Sequence, residues 1–363
     1  MLEKLIEFLD KRMENGAKGY DVIVYQGGKE VFRHFNGYAD YERETPLRGN
    51  ELYYLYSCSK PITCCAALQL LERGLYSLED KLSDYLPEFA RMQIKDGEEL
   101  KAAKNPILIR HLFEMSAGFD YDEKCAPFKD CIVGTDGRAP TREIIRRLAE
   151  RPLGFEPGAR WRYSLCHDAL AAFVEVVSGE RFSDYVQKNI FAPLGMNQAT
   201  FRLTPALKEK IAPLYIYDAE RKAPVIEKRG NVLILGSEYE SGGAGCICTV
   251  QDYILFLEGI RTYKLLKKET VDLWRTDRLA PLGIDDKGYW KKETHGYGLG
   301  VRCSKGIAGY GDFGWDGAAG AFMAIDLENE ITVFYAQHLL ADPNNPNRHM
   351  VYDFVRDALA KKP

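Results

Sequence analysis

The chain has 363 residues, 46% of them hydrophobic and 28% charged, with a formal net charge of −4 and a pI near 6.0. That length holds one large domain or two intimately packed ones, with ample apolar material for a core. The slightly acidic balance argues against a nucleic-acid binder, which needs a basic stripe. Its short basic clusters, such as Arg146–Arg147 and Lys291–Lys292, read as solvated surface.

The opening stretch, "MLEKLIEFLDKRMENG", puts Leu2, Leu5, Ile6 and Leu9 on one stripe with charges between them, and Gly16 follows. This predicts an amphipathic helix rather than an export signal. No run is long enough to span a membrane. The nine cysteines form no C-x-x-C pair, and the one C-x-C is Cys246–Cys248. Reduced thiols in a cytoplasm are the natural reading. Cys166 and His167 are adjacent, but no ligand spacing supports a zinc site, and nothing calls for a cofactor.

Next, "DVIVYQGGKEVFRHFNGYAD" alternates and turns at Gly27–Gly28, which predicts a β-hairpin. The middle of the chain has helical spacing over 61–73, 107–115, 141–150, 165–178 and 182–190, several of these ending at glycine or proline. Residues 200–240 are mixed, with short strands expected. Strand-like runs return in "YGLGVRC", "GAFMAIDL" and "ITVFYAQHL", and an amphipathic helix is predicted over about 347–361. Strands from both ends must share one sheet to avoid exposed edges. The expected fold is therefore α+β: an antiparallel sheet flanked by N- and C-terminal helices, with a large, mainly helical lobe inserted. Residues 1–56 and 290–363 would form the sheet lobe and 57–289 the helical lobe, with a small-molecule site in the cleft between them.

One stretch, "LYSCSK" at 55–60, asks for a chemical explanation. Ser57 and Lys60 lie one helical turn apart, and Pro61 with the apolar run Ile62–Leu71 predicts a buried helix starting there. Residues three apart share a helix face, so the lysine amine can reach the serine hydroxyl. Serine needs a base to become a nucleophile. Burial and the positive end of a helix dipole both disfavour the ammonium form, which makes a lysine amine usable as that base. The alternative is a serine N-cap followed by a solvent-facing lysine. With eleven serines in the chain, about one S-x-x-K match arises by chance, so the surroundings must decide.

Those surroundings resemble the serine β-lactamase and penicillin-binding-protein superfamily, in its class C β-lactamase and serine esterase (family VIII carboxylesterase-like) branch. "LYSCSK" resembles the nucleophile box. "KNPILIRHLFEMSAGFDYD", "GFEPGARWRYS", "NIFAPLGMNQATF", "SGGAGCICTVQDYILF", "HGYGLGVR" and "GWDGAAGAFMAIDLENEITVFY" resemble the segments around it, in order, from about residue 20 to 340. The resemblance implies an acyl-enzyme on Ser57, with Lys60 as its base partner. Tyr163, the tyrosine of the second box, would share the serine proton and pass one to the leaving group. In the third box, Trp315, Asp316 and Gly317 would line the substrate site. The backbone N–H groups of Ser57 and Ala318 would form the oxyanion hole.

Two departures from the β-lactamase pattern bear on substrate. Leu165 stands where the family's second box carries an asparagine, and Trp315, followed by Asp316, stands where the third box usually carries lysine. Both disfavour a carboxylate-bearing lactam. The expected activity is a serine hydrolase cleaving small esters. The competing readings are a β-lactamase or D-peptidase, an acyltransferase using the same acyl-enzyme, and an inactive relative that binds a ligand. A cysteine hydrolase through Cys58 lacks a histidine placed beside it. The expected partner is a small-molecule ester or amide, with no nucleic acid and no membrane span.

Overall fold

The computed structural model describes residues 2–283, 294–306 and 310–360. The Lys291–Lys292 pair lies outside them. Helix α1 (Glu3–Glu14) leads into the hairpin strands β1 (Gly19–Gln26) and β2 (Lys29–Asp40), followed by the short strand β3 (Thr45–Pro46). The helix of the nucleophile box, α2, runs Ser59–Glu72, and α3 covers Cys166–Ser178. Helix α4 (Val250–Arg261) precedes the C-terminal strands β4 (His295–Tyr297), β5 (Arg302–Ser304), β6 (Asp312–Asp316), β7 (Phe322–Asp326) and β8 (Ile331–Ala336), and α5 (Met350–Leu359) ends the chain.

These strands form one sheet in the order β4-β5-β6-β7-β8-β1-β2-β3, every pairing antiparallel. Strands from the two ends of the chain meet at β1 and β8, where Asp21 to Gln26 pair with Ala336 to Ile331. The central strands are buried on both faces, and alternation sorts their side chains between two cores. Val22, Val24, Val333 and Tyr335 join Leu5, Leu9, Val351 and Val355 of the terminal helices. Ile23, Met323, Ile325 and Phe334 face the other way, into a larger core shared with α2, α3 and α4. A sheet covered on both sides needs apolar residues at consecutive positions, which is why "DVIVY" and "ITVFYA" are nearly unbroken apolar runs.

Helix α4 lies within the stretch expected to form the helical lobe, yet it packs on the sheet against β1 and β8. Tyr253 stacks on Phe334 with centroids 4.1 Å apart, and Thr332 donates to Glu258 at 2.7 Å. Helix α2 is the centre of the larger core, with every residue from Ser59 to Leu70 buried. A helix apolar all round belongs in an interior, and α2 packs there against α3. Among the described residues no helix is long and apolar enough to cross a membrane.

Candidate active site

The nucleophile box begins with a sharp turn. The short strand Tyr53–Tyr54 pairs with Ile247–Cys248, and the Leu55 N–H donates to the Cys246 carbonyl at 3.0 Å. Tyr56 then adopts a left-handed conformation, φ 49°, which a bulky residue takes only where its surroundings over-determine it. Ser57 follows in a single 3-10 turn, Tyr56–Cys58, just before α2. It thus precedes the helix proper, whereas the spacing alone suggested the helix's own first turn. Pro61 is accommodated in that first turn, as expected.

Ser57 and Lys60 meet. The Lys60 ammonium, 0% exposed, donates to Ser57 Oγ at 3.0 Å and to the Gly243 carbonyl at 2.7 Å. The solvent-facing lysine is ruled out by this burial. Desolvation pushes the amine from its ordinary 10.5 down to about 8, and the Asp168 carboxylate opposes that fall. Ser59 does something else: its Oγ accepts the Cys246 N–H at 2.9 Å, tying α2 to the following segment.

Tyr163 joins the pair from the loop before α3, its hydroxyl sharing a hydrogen bond with Ser57 Oγ. Burial pushes its phenol well up, only partly offset by that hydrogen bond, so the group is a neutral phenol rather than a phenolate at ordinary pH. Its ring covers Lys60, whose Nζ lies 4.7 Å from the centroid. Tyr121 lies parallel to it at 5.5 Å, and Trp315 is near-parallel at 6.1 Å. Tyr297 meets Trp315 edge-on at 5.3 Å and Trp161 at 5.7 Å. An aromatic wall therefore continues from Tyr163, the ring that touches the serine, and Leu165, two residues beyond Tyr163, is buried at the start of α3.

The 315–318 segment runs alongside the serine turn. A Cβ on Gly317 would sit 2.4 Å from the Leu55 carbonyl oxygen, so the close approach that glycine permits here is to the backbone two residues before Ser57. Ala318 is the exposed residue of that loop. Asp316 does not join the wall. Alternation along β6 turns it to the face opposite Trp315, where Arg348 Nε meets its carboxylate at 3.1 Å. Arg348 Nη1 also donates to the Gly317 carbonyl at 2.8 Å. The Asp316 charge expected beside Trp315 is thus paired on the far face of the strand.

Sequence reasoning assigned no role to Tyr121, Trp161, Gly243 or Tyr297, although each lies in or next to a segment that carried the resemblance. It also missed Asp168, a carboxylate in the interior at 1% exposure. The sequence signal for that one is an acidic residue in the first turn of a mostly apolar, buried helix. Among the described residues no cluster of histidine, cysteine and acidic side chains forms a metal site.

Comparison with known proteins shows the family and the fold. The profile of the β-lactamase family matches residues 5–360. Esterase EstB of Burkholderia gladioli is 32% identical over 299 residues, which span 76% of this chain and 74% of the esterase. Two solved structures share the fold: EstCE1, described as a hydrolase with promiscuous acyltransferase activity, with TM-score 0.78 at 24% identity over 99% of this chain and 98% of that one, and simvastatin synthase LovD from Aspergillus terreus, with TM-score 0.80 at 20% identity over 100% and 99%. The chain belongs to the β-lactamase family and is a serine hydrolase of that superfamily.

Proposed function

We propose that this enzyme cleaves small esters through an acyl-enzyme on Ser57, with Lys60 as base and Tyr163 as proton relay. The observation that carries the reading is the buried Lys60 amine, 3.0 Å from Ser57 Oγ and pushed down to about 8. In its neutral form the amine takes the hydroxyl proton as Oγ attacks the ester carbonyl. The N–H groups of Ser57 and Ala318 hold the resulting oxyanion, each donor contributing roughly 10²–10³ in rate. Collapse of the tetrahedral intermediate breaks the bond to the alcohol oxygen. That oxygen takes a proton from Tyr163, which recovers it from Lys60. Water then repeats the sequence on the acyl-enzyme, releasing the acid and restoring Ser57.

Esters fit the site better than β-lactams. Trp315 supplies an aromatic face where a lactam carboxylate needs a cation, and Leu165 offers no hydrogen bond to an amide. With Asp316 neutralised by Arg348, discrimination rests on those two residues and Gly317's loop rather than on repulsion. The esterase EstB supports ester substrates by its name. All nine cysteines are free thiols, which supports a reducing compartment such as the cytoplasm. The test compares kcat/KM for p-nitrophenyl butyrate with that for a chromogenic cephalosporin. A lost charge-assisted hydrogen bond is worth about 1.5–3 kcal/mol, so the ester should lead by roughly ten- to a hundredfold. Comparable values would restore the β-lactamase reading.

A further inference from the structure

Asp168 stands one helical layer behind the nucleophile pair. A carboxylate at 1% exposure costs several kcal/mol unless it is partnered, yet among the described residues no lysine or arginine reaches it within ion-pair distance. Its Oδ1 instead accepts the Tyr239 hydroxyl at 2.9 Å and Ser241 Oγ at 2.6 Å. Ser241 in turn organises a tight turn. Its Oγ accepts the Ala244 N–H at 2.9 Å, and its carbonyl accepts the Gly245 N–H at 2.8 Å.

That turn is pressed onto the start of α3. A Cβ on Gly242 would lie 2.4 Å from the His167 carbonyl oxygen, and one on Gly243 would lie 2.4 Å from Asp168 Oδ2. From this position the turn presents two carbonyls to α2. Gly242 accepts Thr63 Oγ1 at 2.7 Å, and Gly243 accepts the Lys60 amine at 2.7 Å. A chain of contacts thus runs from Asp168 through Ser241 and Gly243 to Lys60 and Ser57.

We propose that Asp168 is a positioning residue for the nucleophile pair: through Ser241 it fixes the turn whose Gly243 carbonyl aims the Lys60 amine at Ser57. This rests on Lys60 acting as the base. Burial alone weakens the amine, and a weaker base accepts the proton less readily. Asp168 is the largest charge opposing that loss. The other titratable groups around the two are Cys58 beside the nucleophile, its thiol pushed well up by burial, Cys64 on α2, Tyr239 on the loop, Tyr121 and Tyr163 in the wall, and Cys166 and His167 on α3. Burial pushes the Cys64 thiol and the Tyr239 and Tyr163 phenols well up, the Cys166 thiol up to about 12 and the His167 imidazole well down. Lys60 is the group that changes charge near neutral pH.

The experiment measures the rate of serine labelling by a fluorophosphonate, together with kcat and KM for p-nitrophenyl butyrate, from pH 5 to 10. Asp168→Asn keeps an oxygen for Ser241 and Tyr239 but removes the charge. Its acid limb should move to lower pH by about one unit, the low end of what a neighbouring charge produces. Ser241→Ala keeps the charge but cuts the link to the turn. It should lower kcat about tenfold, leave KM nearly unchanged and leave the limb in place. An Asp168→Asn limb superimposed on the wild type overturns the proposal. If Asp168→Asn yields no folded protein, Ser241→Ala decides: a wild-type kcat overturns the proposal, and the fall with a fixed limb supports it. Failure of the base reading looks different, because the wild-type enzyme itself then lacks an acid limb near pH 8.

Discussion

The Lys60 amine makes the pH dependence of acylation the sharpest test of the mechanism. Only its neutral form can accept the Ser57 proton, so activity must rise as the proton leaves. With titration near 8, about a tenth of the amine is neutral at pH 7 and about a hundredth at pH 6. At its ordinary 10.5 the neutral fraction at pH 7 is only about one in 3,000. Burial on α2 therefore enlarges the active form about 300-fold at pH 7. The rate of fluorophosphonate labelling should climb about tenfold per pH unit between 5 and 7, bend near 8 and level off above it. Following labelling rather than turnover removes deacylation from the measurement. Lys60→Arg should lose at least about a thousandfold, since arginine stays protonated throughout the range, and circular dichroism checks that the variant is folded. A labelling rate independent of pH between 6 and 9, or near-normal labelling of the arginine variant, refutes the assignment of Lys60 as base.

Mass spectrometry of the labelled enzyme should find the probe on Ser57, and Ser57→Ala should abolish both labelling and esterase activity. Ser59→Ala should stay active and lose only about 1 kcal/mol of stability, for the hydrogen bond from Cys246, read as a shifted urea midpoint. Ala318→Pro, which deletes one N–H facing the oxyanion, should cost roughly 10²–10³ in kcat with little change in KM; an unchanged kcat removes Ala318 from the hole. Lys60→Met should stabilise the fold by up to about 3 kcal/mol at pH 7, from a pKa depressed by about 2.5 at 1.36 kcal/mol each. The sign follows from linkage: between about 8 and 10.5 the unfolded chain binds the lysine proton and the native state does not, so wild-type stability rises with pH there. The gain from methionine is full below pH 8 and fades toward 10.5, which urea unfolding at pH 7 and pH 10 checks.

What the sequence disclosed divides along a physical line. Patterns local in the chain were legible: the S-x-x-K spacing, the apolar body of α2, the hairpin turn after β1, and the strand-like runs of β7 and β8. The residues completing the site were not, because their partners are distant. Gly243 lies 183 positions from the lysine it holds, and nothing in "SGGAG" announces that its carbonyl faces an amine. Arg348, which pairs with Asp316, lies 32 residues beyond it, so nothing near Trp315 in the chain shows that pairing. Tyr56 gave no warning of its left-handed turn, since tyrosine has no local preference for it. The hairpin Gln93–Ala102 escaped for another reason. It is mostly exposed and lacks the alternation that marks a half-buried strand.

The burial that perturbs Lys60 acts on its neighbours in directions that simplify the chemistry. Desolvation favours the neutral form of every group. It drives the amine toward neutrality, which arms it, and holds Tyr163 as a phenol, which leaves it a proton to give. It also keeps the Cys58 thiol protonated next to the nucleophile, so the sulfur does not compete with the serine as a thiolate. His167, 0% exposed on α3 and pushed well down, stays uncharged beside the lysine. One desolvated pocket thus yields a neutral base, a neutral acid and a silent thiol. Of these four groups only the base changes charge between pH 5 and 10. The profile should therefore be a single limb with a plateau rather than a bell. An alkaline fall of acylation below pH 10 would mean that Tyr163 ionises in the working range and serves as the base itself, with Lys60 reduced to its counter-ion.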